Sequence, residues 1–536
     1  MTTTGFDWGN ELADIRTEVP GPRSRTLAQE LSQTEAPNAS VMAAGDTPVF
    51  WDRTLGANIW DADGNRYVDL TAGFCVAIAG HSNPAIVAAI QAQAARMMHS
   101  QGGANPNPLR VDLTRRLTAL CPPGLTVAHI VSTGGEAVEM ALKTARLATG
   151  KQMVLAFQGG FHGKLLGALS VTSQNYYRAP FMGVITGTTH LPYAYCYRCA
   201  FGKRYPECNT FCADYVRYVL EMPDSGIADV AAIIVEPAQG HGGWVVPPPE
   251  FLTKLRALCD EKGILLIADE IITGFGRTGR LFGVMHAGVT PDILVVGKGL
   301  ASGFPVAAAV MRPELARVWG SMQHTSTFMG HPIGCAASLA SLDEIESRGL
   351  VQRSAAIGRQ MMEALADMQA RHPLMGDVRG LGSMVGVEFV RDRQSKVPAP
   401  AEGKRVVERL LNLGVMATNY GGSYHNVLKM SPPLVSAAPN ALLSQLSAVP
   451  SPTTMDCAAA WWRQSRLRRI TETKQNAVRV NFLLNLMVSP SVVKTNCRPK
   501  CSASCIRAGC FREACFRRRD DGAGRVPAPK VASMSR

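Results

Sequence analysis

Three polar residues stand at the ends of apolar runs in the sequence, and together they could carry out amine chemistry. Glu236 closes "AIIVE", Asp269 closes "ILLIAD", and Lys298 follows "ILVVG". Lysine is seldom buried without a partner, so Gly297 and Gly299 on its two sides indicate that space is cleared around a functional amine. An acid and an amine at neighbouring strand ends suit pyridoxal phosphate (PLP). The lysine would hold the cofactor as a Schiff base, and the carboxylate would keep its pyridine nitrogen protonated.

A second set of residues could bind the phosphate and the ring of that cofactor. In "STGGEAVEMALKTARLA", Gly134 and Gly135 precede a segment with helical spacing whose alanines recur at every fourth position. The backbone N–H groups and the dipole at the N-terminus of such a helix favour an anion. Phe161, in "GGFHGK", is a candidate for stacking on the ring.

These residues are predicted to lie on a parallel sheet with helices on both faces. Continuous apolar runs that alternate with helical patterns are typical of such a sheet. The predicted strands are 128–132, 153–157, 230–236, 263–269, 292–297 and 306–311. A helix is predicted to follow the prolines at 247–249 and to end at Gly263. Because ligands bind beyond the carboxyl ends of parallel strands, we expect Glu236, Asp269 and Lys298 to converge.

The motifs together resemble those of the class III, PLP-dependent aminotransferases of fold type I. The matching segments extend in order over about residues 45–435 and include "STGGEAVEMALK", "FHG", "EPAQGHGG", "LLIADEIITGFGRTGRLF", "PDILVVGKGLASGFPVAAAV", "HTSTFMGHPIGCAASLA" and "VRGLGSMVGVEF". The resemblance implies an α/β fold, with a mainly parallel seven-stranded sheet in a large domain and a smaller α+β domain. It also implies a homodimer with active sites at the interface, and transfer of an amine from an amino donor to an oxo acid.

Four parts of the chain are expected. They are an N-terminal segment of the small lobe (1–80), a large PLP-binding domain (81–335), a C-terminal small domain (336–440), and an atypical basic, cysteine-rich tail (441–536) with little order. Within the first part, Asp63-Gly64 predicts a hairpin turn. Within the third, "VRGLGSMVGVEFV" has the alternation of a strand in a smaller sheet.

Carried over position by position, the resemblance implies cofactor and substrate contacts. Lys298 matches the Schiff-base lysine, and Asp269 matches the partner of the pyridine nitrogen. The other cofactor positions are the phosphate-loop glycines Gly134 and Gly135, the ring-stacking segment Phe161 and His162, and Thr327, which would reach the phosphate of the neighbouring subunit's cofactor. The substrate positions are Phe74, which would affect the choice of amine, Glu236, which would manage substrate charge, and Lys429.

Two departures from the family pattern bear on the substrate. Ile272 stands where ornithine-type and many 4-aminobutyrate-type members carry glutamine, and Lys429 stands where many members carry an arginine that grips a carboxylate. Lysine keeps the charge but loses the planar two-pronged grip, although Lys429 could equally be a solvated charge at a strand end.

The expected reaction is transamination of an ω-amino acid (4-aminobutyrate-like) or another terminal amine, with pyruvate or 2-oxoglutarate as the acceptor. One alternative is a different class III reaction, such as that of a phospho-lyase or a decarboxylase. Another is a catalytically impaired binding or scaffold protein, because of the unusual tail. A dehydrogenase is a weaker reading: "GFGRTG" at 274–279 fits a dinucleotide-binding loop, but "RLFGVMHAGVTPD" after it is too broken by Gly and Pro to form the required helix.

Four cysteines form a separate cluster in the sequence. Cys196, Cys199, Cys208 and Cys212 have the spacing C-x2-C-x8-C-x3-C. This spacing is compatible with a zinc or iron–sulfur site, and equally with reduced thiols or occasional disulfides. Spacing alone does not decide between them, and no metal is assigned.

The basic character of the chain belongs to its tail. The net charge is +13, yet residues 451–536 hold 17 Lys/Arg and 5 Asp/Glu, so the rest of the chain is nearly neutral. The tail could reflect a shifted reading frame or a fusion, or it could be a basic arm; we do not expect nucleic acid as a partner. No apolar run has membrane-spanning length and the N-terminus lacks a secretory pattern, so a cytoplasmic protein is expected.

Overall fold

The computed structural model describes residues 8–436, apart from the side chains of Ala43, Asn419 and Tyr420. Its strands are β1 Trp51–Leu55, β2 Asn58–Asp61, β3 Arg66–Asp69, β4 Val127–Val131, β5 Met153–Phe157, β6 Thr188–Leu191, β7 Val230–Val235, β8 Leu265–Asp269, β9 Ile293–Val296, β10 Ala307–Met311, β11 Met375–Leu381, β12 Met384–Phe389, β13 Val415–Met416, β14 Thr418–Gly421 and β15 Val427–Met430. The tail expected at 441–536 lies outside the described residues.

The helices cover the sheets and connect their strands. They are α1 Pro22–Leu31, α2 Ala72–Cys75, α3 Pro84–Arg96, α4 Pro108–Leu120, α5 Gly134–Thr149, α6 Leu166–Val171, α7 Asn175–Arg178, α8 Phe211–Glu221, α9 Pro249–Lys262, α10 Pro313–Ala316, α11 Pro332–Ser347, α12 Leu350–Arg371 and α13 Pro400–Asn412. Within residues 8–436, no helix is both long enough and apolar enough to cross a membrane.

A seven-stranded sheet in the order β4-β10-β9-β8-β7-β5-β6 lies at the centre of the fold. Six of its strands are parallel, and only β10 runs antiparallel to its two neighbours, β4 and β9. The mainly parallel sheet predicted from the apolar runs is therefore confirmed. Strand β6, of sequence TTHL, was not predicted because it has no apolar run; it forms by pairing with β5.

Apolar side chains cover both faces of this sheet. In β9, Ile293 and Val295 pack in one core cluster with residues of α5, whereas Leu294 and Val296 pack in another with residues of α3, α4 and α11. Successive residues of a strand point to opposite faces, so a strand buried on both sides needs a continuous apolar run. This burial accounts for the unbroken "ILVV" that precedes Lys298.

Helix α9 begins and ends where the sequence predicts, and helix α5 begins where the sequence predicts. Helix α9 starts at Pro249 and is closed by Gly263 in the left-handed conformation, with φ of 61°. Helix α5 starts with a capping box, in which the Thr133 hydroxyl accepts from the Glu136 N–H and the Glu136 carboxylate accepts from the N-terminal backbone. These caps fix the position of each helix start relative to the strand before it.

Two four-stranded sheets build the rest of the described chain. The Asp63-Gly64 turn joins antiparallel β2 and β3 as predicted, and Val68 of β3 pairs in parallel with Val415 of β13, which connects the two ends of the described chain. "VRGLGSMVGVEF" forms two strands rather than one, because Gly382 turns the chain with φ of 55°. The second sheet has the order β11-β12-β15-β14. The domain boundaries at residues 80 and 335 remain predictions.

Candidate active site

The carboxyl ends of β7, β8 and β9 bring Glu236, Asp269 and Lys298 to one edge of the sheet. The three strands are parallel neighbours, and each residue stands at or just beyond the end of its strand. Glu236 and Asp269 are each 4% exposed. Burial lowers the pKa of the Lys298 amine, although the nearby Cys75, Asp269 and Glu236 oppose this shift. The site therefore favours an uncharged amine beside two carboxyl groups.

The glycines beside Lys298 have different roles. A Cβ atom on Gly299 would lie 2.3 Å from Cδ1 of Ile78, so this glycine makes room for a core side chain rather than for the amine. A Cβ on Gly297 would meet Ala307 at 3.4 Å and Ile271 at 3.6 Å, which are tolerable contacts. Lys298 itself has a left-handed backbone, with φ of 44°. A non-glycine residue in that conformation is uncommon, and such residues concentrate at functional sites.

Asp269 is held by a buried histidine. Nδ1 of His162 lies 2.7 Å from Oδ2 of Asp269, and the N–H of Ile271 donates to Oδ1 at 3.0 Å. Burial alone would lower the pKa of His162, but the hydrogen bond to Asp269 and its negative charge outweigh burial and raise that pKa. The hydrogen bond from His162 therefore fixes the orientation of the carboxylate.

The start of α5 presents backbone donors beside this acid. Within the described chain, no hydrogen bond uses the N–H groups of Gly134 and Gly135, the first two residues of the helix. A Cβ on Gly134 would lie 2.8 Å from Cδ1 of Ile271, so glycine allows the helix start to approach the residues that follow β8. Ala137, Ala141 and Ala145 are fully buried, and they pack the helix against the sheet. The arrangement suits a phosphate group.

Phe161 and Glu236 are joined through the backbone. The Phe161 N–H donates to Oε1 of Glu236 at 2.9 Å, and the Gly240 N–H donates to Oε2 at 2.8 Å. The centroid of the Phe161 ring lies 5.3 Å from that of His241. Burial raises the pKa of Glu236 to about 7, and Asp269 adds to the effect while His162 and the two N–H donors oppose it. Glu236 can therefore gain or lose a proton near neutral pH.

A second amine lies close to the first. Lys429 on β15 is buried, and its Nζ lies 5.0 Å from the centroid of the Trp244 ring. Burial lowers its pKa to about 8; the positive charge of Lys298 acts in the same direction, while Cys75 and Glu236 oppose it. Burial of the His241 side chain lowers the pKa of its imidazole to about 4, and the positive charge of Lys429 acts in the same direction. Lys429 is thus not a solvated charge at a strand end.

Two of the sequence-predicted residues are exposed in the single chain. Phe74 is 67% exposed and has a left-handed backbone, with φ of 60°. Thr327 is exposed in the segment between β10 and α11. Neither makes a described contact with Lys298 or Asp269 inside the chain. Ile272, in contrast, packs beside Cys75 and Trp244.

Several residues of this site were not singled out from the sequence. Ile271 lies against the start of α5, and Trp244 lies beside Lys429, where its indole N–H donates to the Met430 carbonyl at 3.1 Å. Cys75 is near enough to both amines to affect their pKa values. For Ile271, the adjacent Asp269 was a usable signal. Trp244 and Cys75 are brought in by contacts across more than 150 residues of sequence, which no local pattern shows.

The four clustered cysteines lie away from the amines and line a pocket of their own. Cys196, Cys199, Cys208 and Cys212 surround it together with aromatic side chains, and all four thiols are free. In the part of the chain that the structure describes, no group of three or more His, Cys, Asp or Glu side chains stands in an arrangement that could hold a metal ion.

Comparison with known proteins places the chain among enzymes of amine chemistry. The sequence model of the family described as "Aminotransferase class-III" matches residues 41–446. A leucine/methionine racemase of Thermococcus litoralis is 35% identical over 390 residues, or 72% of this chain and 86% of the racemase. A 5-aminovalerate aminotransferase of Pseudomonas putida is 36% identical over 402 residues, or 74% and 91%. The solved structure of an amine transaminase from an uncultivated Pseudomonas species, in its PLP-bound form, is 32% identical with a TM-score of 0.71, covering 78% of this chain and 98% of that one.

The residues at the sheet edge fit pyridoxal phosphate. The cofactor needs an amine with a lowered pKa, a fixed carboxylate, donors for a phosphate and apolar groups beside a flat ring. Lys298, Asp269 and the free N–H groups of Gly134 and Gly135 supply the first three. Phe161 and Ile271 lie close enough to supply the fourth.

Proposed function

The chain belongs to the class III aminotransferases, which depend on PLP, and on that premise we propose that it transfers the amino group of an ω-amino acid, or of another terminal amine, to pyruvate or 2-oxoglutarate. The observation that carries the proposal is the buried Lys429 amine, which lies near enough to Lys298 and Glu236 for their charges to affect its pKa. An ω-amino acid carries an amine at one end and a carboxylate at the other. Lys429 would bind the carboxylate while Lys298 handles the amine.

Each residue at the sheet edge has a distinct task in this proposal. When bound, PLP supplies an aldehyde that condenses with amines and a ring that takes up carbanion charge. Lys298, with its lowered pKa, would attach to the cofactor and then carry a proton on Nζ to and from the substrate carbon. Asp269, oriented by His162, would hold a proton on the pyridine nitrogen. Gly134 and Gly135 would donate to the phosphate.

Charge at the substrate end would be adjusted by Glu236. Its pKa of about 7 lets it stand either as a neutral acid or as a carboxylate near Lys429. As a carboxylate it would neutralise Lys429 when the substrate has no distal carboxylate, and as an acid it would leave Lys429 free to bind one. Ile272 makes the neighbouring wall apolar, which suits the methylene chain of an ω-amino acid. The similarity to a 5-aminovalerate aminotransferase supports this choice of substrate class.

A second copy of the chain would complete the site. Phe74, Met322 and Phe328 are all more than half exposed, and Phe328 follows Thr327 directly in the sequence. Exposed apolar side chains of this size, grouped near a site, are typical of an interface. In a homodimer, Thr327 would reach the phosphate in the partner's site, and Phe74 would line a pocket for the substrate.

A panel of amine donors tests the proposed reaction. Purified protein with PLP is incubated with 4-aminobutyrate, 5-aminovalerate, a diamine, ornithine and a 2-amino acid, each with pyruvate and with 2-oxoglutarate, and the new amino acid is measured. We expect the highest kcat/KM for an ω-amino acid. The racemase similarity is tested in the same panel with L-leucine and L-methionine and no acceptor. Inversion without an acceptor, or activity restricted to 2-amino acids, would contradict the proposal.

A further inference from the structure

Four consecutive residues between β3 and α3 have a left-handed backbone. In α2, Ala72–Cys75, the φ angles are 47°, 56°, 60° and 67°, and the N–H of Cys75 donates to the Thr71 carbonyl at 2.8 Å. Only one of the four residues, Gly73, is a glycine. A left-handed turn brings each Cβ close to the following carbonyl oxygen and costs free energy, so it persists only where its surroundings hold it.

A buried carboxylate holds the start of this turn. Oδ1 of Asp69 accepts from the N–H and from the hydroxyl of Thr71, at 2.7 and 2.6 Å. Oδ2 of Asp69 lies 2.7 Å from Nε2 of His81. The Thr71 hydroxyl accepts in turn from the N–H of Gly73 at 3.1 Å. All of these bonds act at the Thr71 end of the turn, whereas Cys75 lies at the other end.

Cys75 joins its end of the turn to the residue that follows β15. The Cys75 thiol donates to Oγ of Ser431 at 3.2 Å, and both side chains are buried. The N–H of Ser431 donates to the Leu70 carbonyl at 2.6 Å, and the Ser431 hydroxyl donates to the Thr71 carbonyl at 3.3 Å. Ser431 is therefore bonded to both ends of the segment 70–75.

This attachment lies two residues from Lys429. Alternate residues of an extended chain point to the same side, so Lys429 and Ser431 share one side at the end of β15. The indole N–H of Trp244 donates to the carbonyl of Met430 between them at 3.1 Å, and Trp244 packs in one cluster with Cys75. Among the neighbouring charges, that of Cys75 has the largest effect on the pKa of Lys429. Cys75 and Trp244 thus hold the end of β15 that carries Lys429.

The Lys429 side chain has space in the site but no partner for its charge. The residue is 9% exposed, and among the side chains that the structure describes its Nζ makes no hydrogen bond or ion pair. A Cβ on Gly421 would lie 2.4 Å from Cδ and Cε of Lys429 and 2.9 Å from Nζ, so this glycine leaves room for the lysine stem. A buried amine without a partner points to a ligand of opposite charge. The position of the amine is therefore set by the backbone of β15.

We propose that Cys75 is a positioning residue for the distal carboxylate of the substrate. Its bond to Ser431 holds the end of β15 against the left-handed turn, and so keeps the Lys429 amine where an ω-amino acid places its carboxylate. Cys75 acts through Lys429 and takes no part in the making or breaking of bonds. The identity of the ligand rests on the proposed function, whereas the attachment of β15 to the turn does not.

Hydrogen–deuterium exchange of the PLP-loaded, full-length protein tests the attachment without any substrate. In Cys75→Ala, the peptide that contains 427–431 should exchange about 2–10-fold faster, because one bond that holds the end of β15 is lost. Cys75→Ser keeps a donor at the same position and should restore most of the protection. The control is Cys259→Ala, which removes an equally buried thiol from α9 and should leave the exchange of this peptide unchanged. Exchange in Cys75→Ala that equals that of the wild type would overturn the proposal.

Kinetics test the consequence for the substrate. Cys75→Ala should raise the KM for 4-aminobutyrate about 2–10-fold with a smaller change in kcat, and should leave the KM for a terminal amine without a carboxylate unchanged. Cys75→Ser should restore the KM. Added to Lys429→Met, Cys75→Ala should cause no further rise, because the two residues act on the same contact. A further rise in the double variant, or an equal effect on both kinds of donor, would overturn the proposal and leave Cys75 a purely structural role.

Far-UV circular dichroism shows whether each variant is folded. If Cys75→Ala does not fold, Ser431→Ala removes the acceptor and keeps the thiol, and it should give the same faster exchange and the same rise in KM. Unchanged exchange together with efficient use of ω-amino acids would overturn this proposal alone. Faster exchange together with no use of ω-amino acids would confirm the attachment and contradict the proposed function.

Discussion

His162 and Asp269 form a hydrogen bond of 2.7 Å between Nδ1 and Oδ2, and both side chains are almost fully buried. The two residues come from different parts of the chain, one just after β5 and the other at the end of β8. The hydrogen bond to Asp269 raises the pKa of the buried His162 imidazole, and a buried polar pair of this kind needs such a bond to offset its loss of water. The hydrogen bond therefore holds the Asp269 carboxylate in one orientation at the sheet edge, where its negative charge could bond a protonated pyridine nitrogen.

Asp269→Asn tests this charge. Asparagine keeps the shape and can still bond His162, but it cannot stabilise a proton on the pyridine nitrogen. We expect kcat to fall by on the order of 10³-fold while PLP still binds. Transamination rates with PLP, and with an analogue whose ring nitrogen carries a permanent positive charge, are the measurement. A variant that retains its rate, or that the analogue fails to rescue at all, would contradict this role.

Lys298→Ala tests the amine at the end of β9. Removal of Nζ takes away both the attachment to PLP and the proton carrier, so we expect kcat to fall by on the order of 10³-fold or more. The absorbance of the covalently held cofactor should disappear, and PLP should be removed by gel filtration. The control is Lys164→Ala, which alters an exposed lysine near Phe161. This variant should keep the absorbance of the covalently held cofactor and should retain PLP on gel filtration. Covalent PLP in Lys298→Ala would show that another amine, such as Lys429, holds the cofactor.

Lys429→Met tests the binding of a distal carboxylate. Hydrogen bonds to charged groups contribute about 1.5–3 kcal/mol, so the KM for 4-aminobutyrate should rise on the order of 10–150-fold. The KM for an amine donor with no carboxylate should change little, because methionine replaces the buried stem of Lys429 with similar volume. Lys429→Arg should retain or improve the use of 2-oxoglutarate, since a guanidinium grips carboxylates with two bonds. Equal loss for donors with and without a carboxylate would indicate a purely structural role.

The sequence predicts the elements that hold this site better than the contacts between them. Continuous apolar runs reveal strands that are buried on both faces, and the polar residue after each run marks the functional edge. For this reason Glu236, Asp269 and Lys298 could be expected to converge before the fold was known. The start of α5 could be predicted as well, because its capping residues and glycines are adjacent in sequence.

The contacts that the sequence does not predict depend on pairing between segments that are far apart in the chain. Strand β6 is short and polar and exists because β5 lies beside it. Trp244 meets Lys429 only because β15 pairs with β12 and a loop after β7 lies over it. Arg379 and Glu388 are ordinary charged residues in their local pattern, yet the fold buries them in one network. No local spacing encodes such contacts.

The pKa of Glu236 makes stability depend on pH. Burial raises it from 4.5 to about 7, so the folded state binds a proton that the unfolded chain releases. This contribution is full below pH 4.5 and is lost as pH rises through 7, by up to about 3 kcal/mol. In Glu236→Gln that dependence is absent. Unfolding of the PLP-free protein by urea at pH 5, 6, 7 and 8 should show the stability of the wild type declining relative to the variant.

The control for this pH dependence is Glu314→Gln, which alters an exposed carboxylate in α10. The free energy of unfolding of Glu314→Gln should follow that of the wild type at every pH. One of the two N–H bonds to Glu236 is lost in Glu236→Gln, because the amide keeps a single acceptor oxygen, but that cost is the same at each pH and leaves the trend intact. A constant difference between wild type and Glu236→Gln from pH 5 to 8 would show that Glu236 titrates as it does in the unfolded chain.

The proposed homodimer is tested at the segment that carries Thr327. Phe328→Asp places a charge on an apolar side chain that is 58% exposed in the single chain, so it should give monomers in analytical ultracentrifugation and weaken PLP binding. Thr327→Ala should keep the dimer but weaken PLP binding on the order of 10–150-fold, through loss of one bond to the phosphate. Tyr218→Asp, on the equally exposed face of α8, is the control and should remain dimeric. A wild-type monomer that binds PLP tightly would contradict the shared site, because Thr327 makes no described contact with Lys298 or Asp269 within one chain.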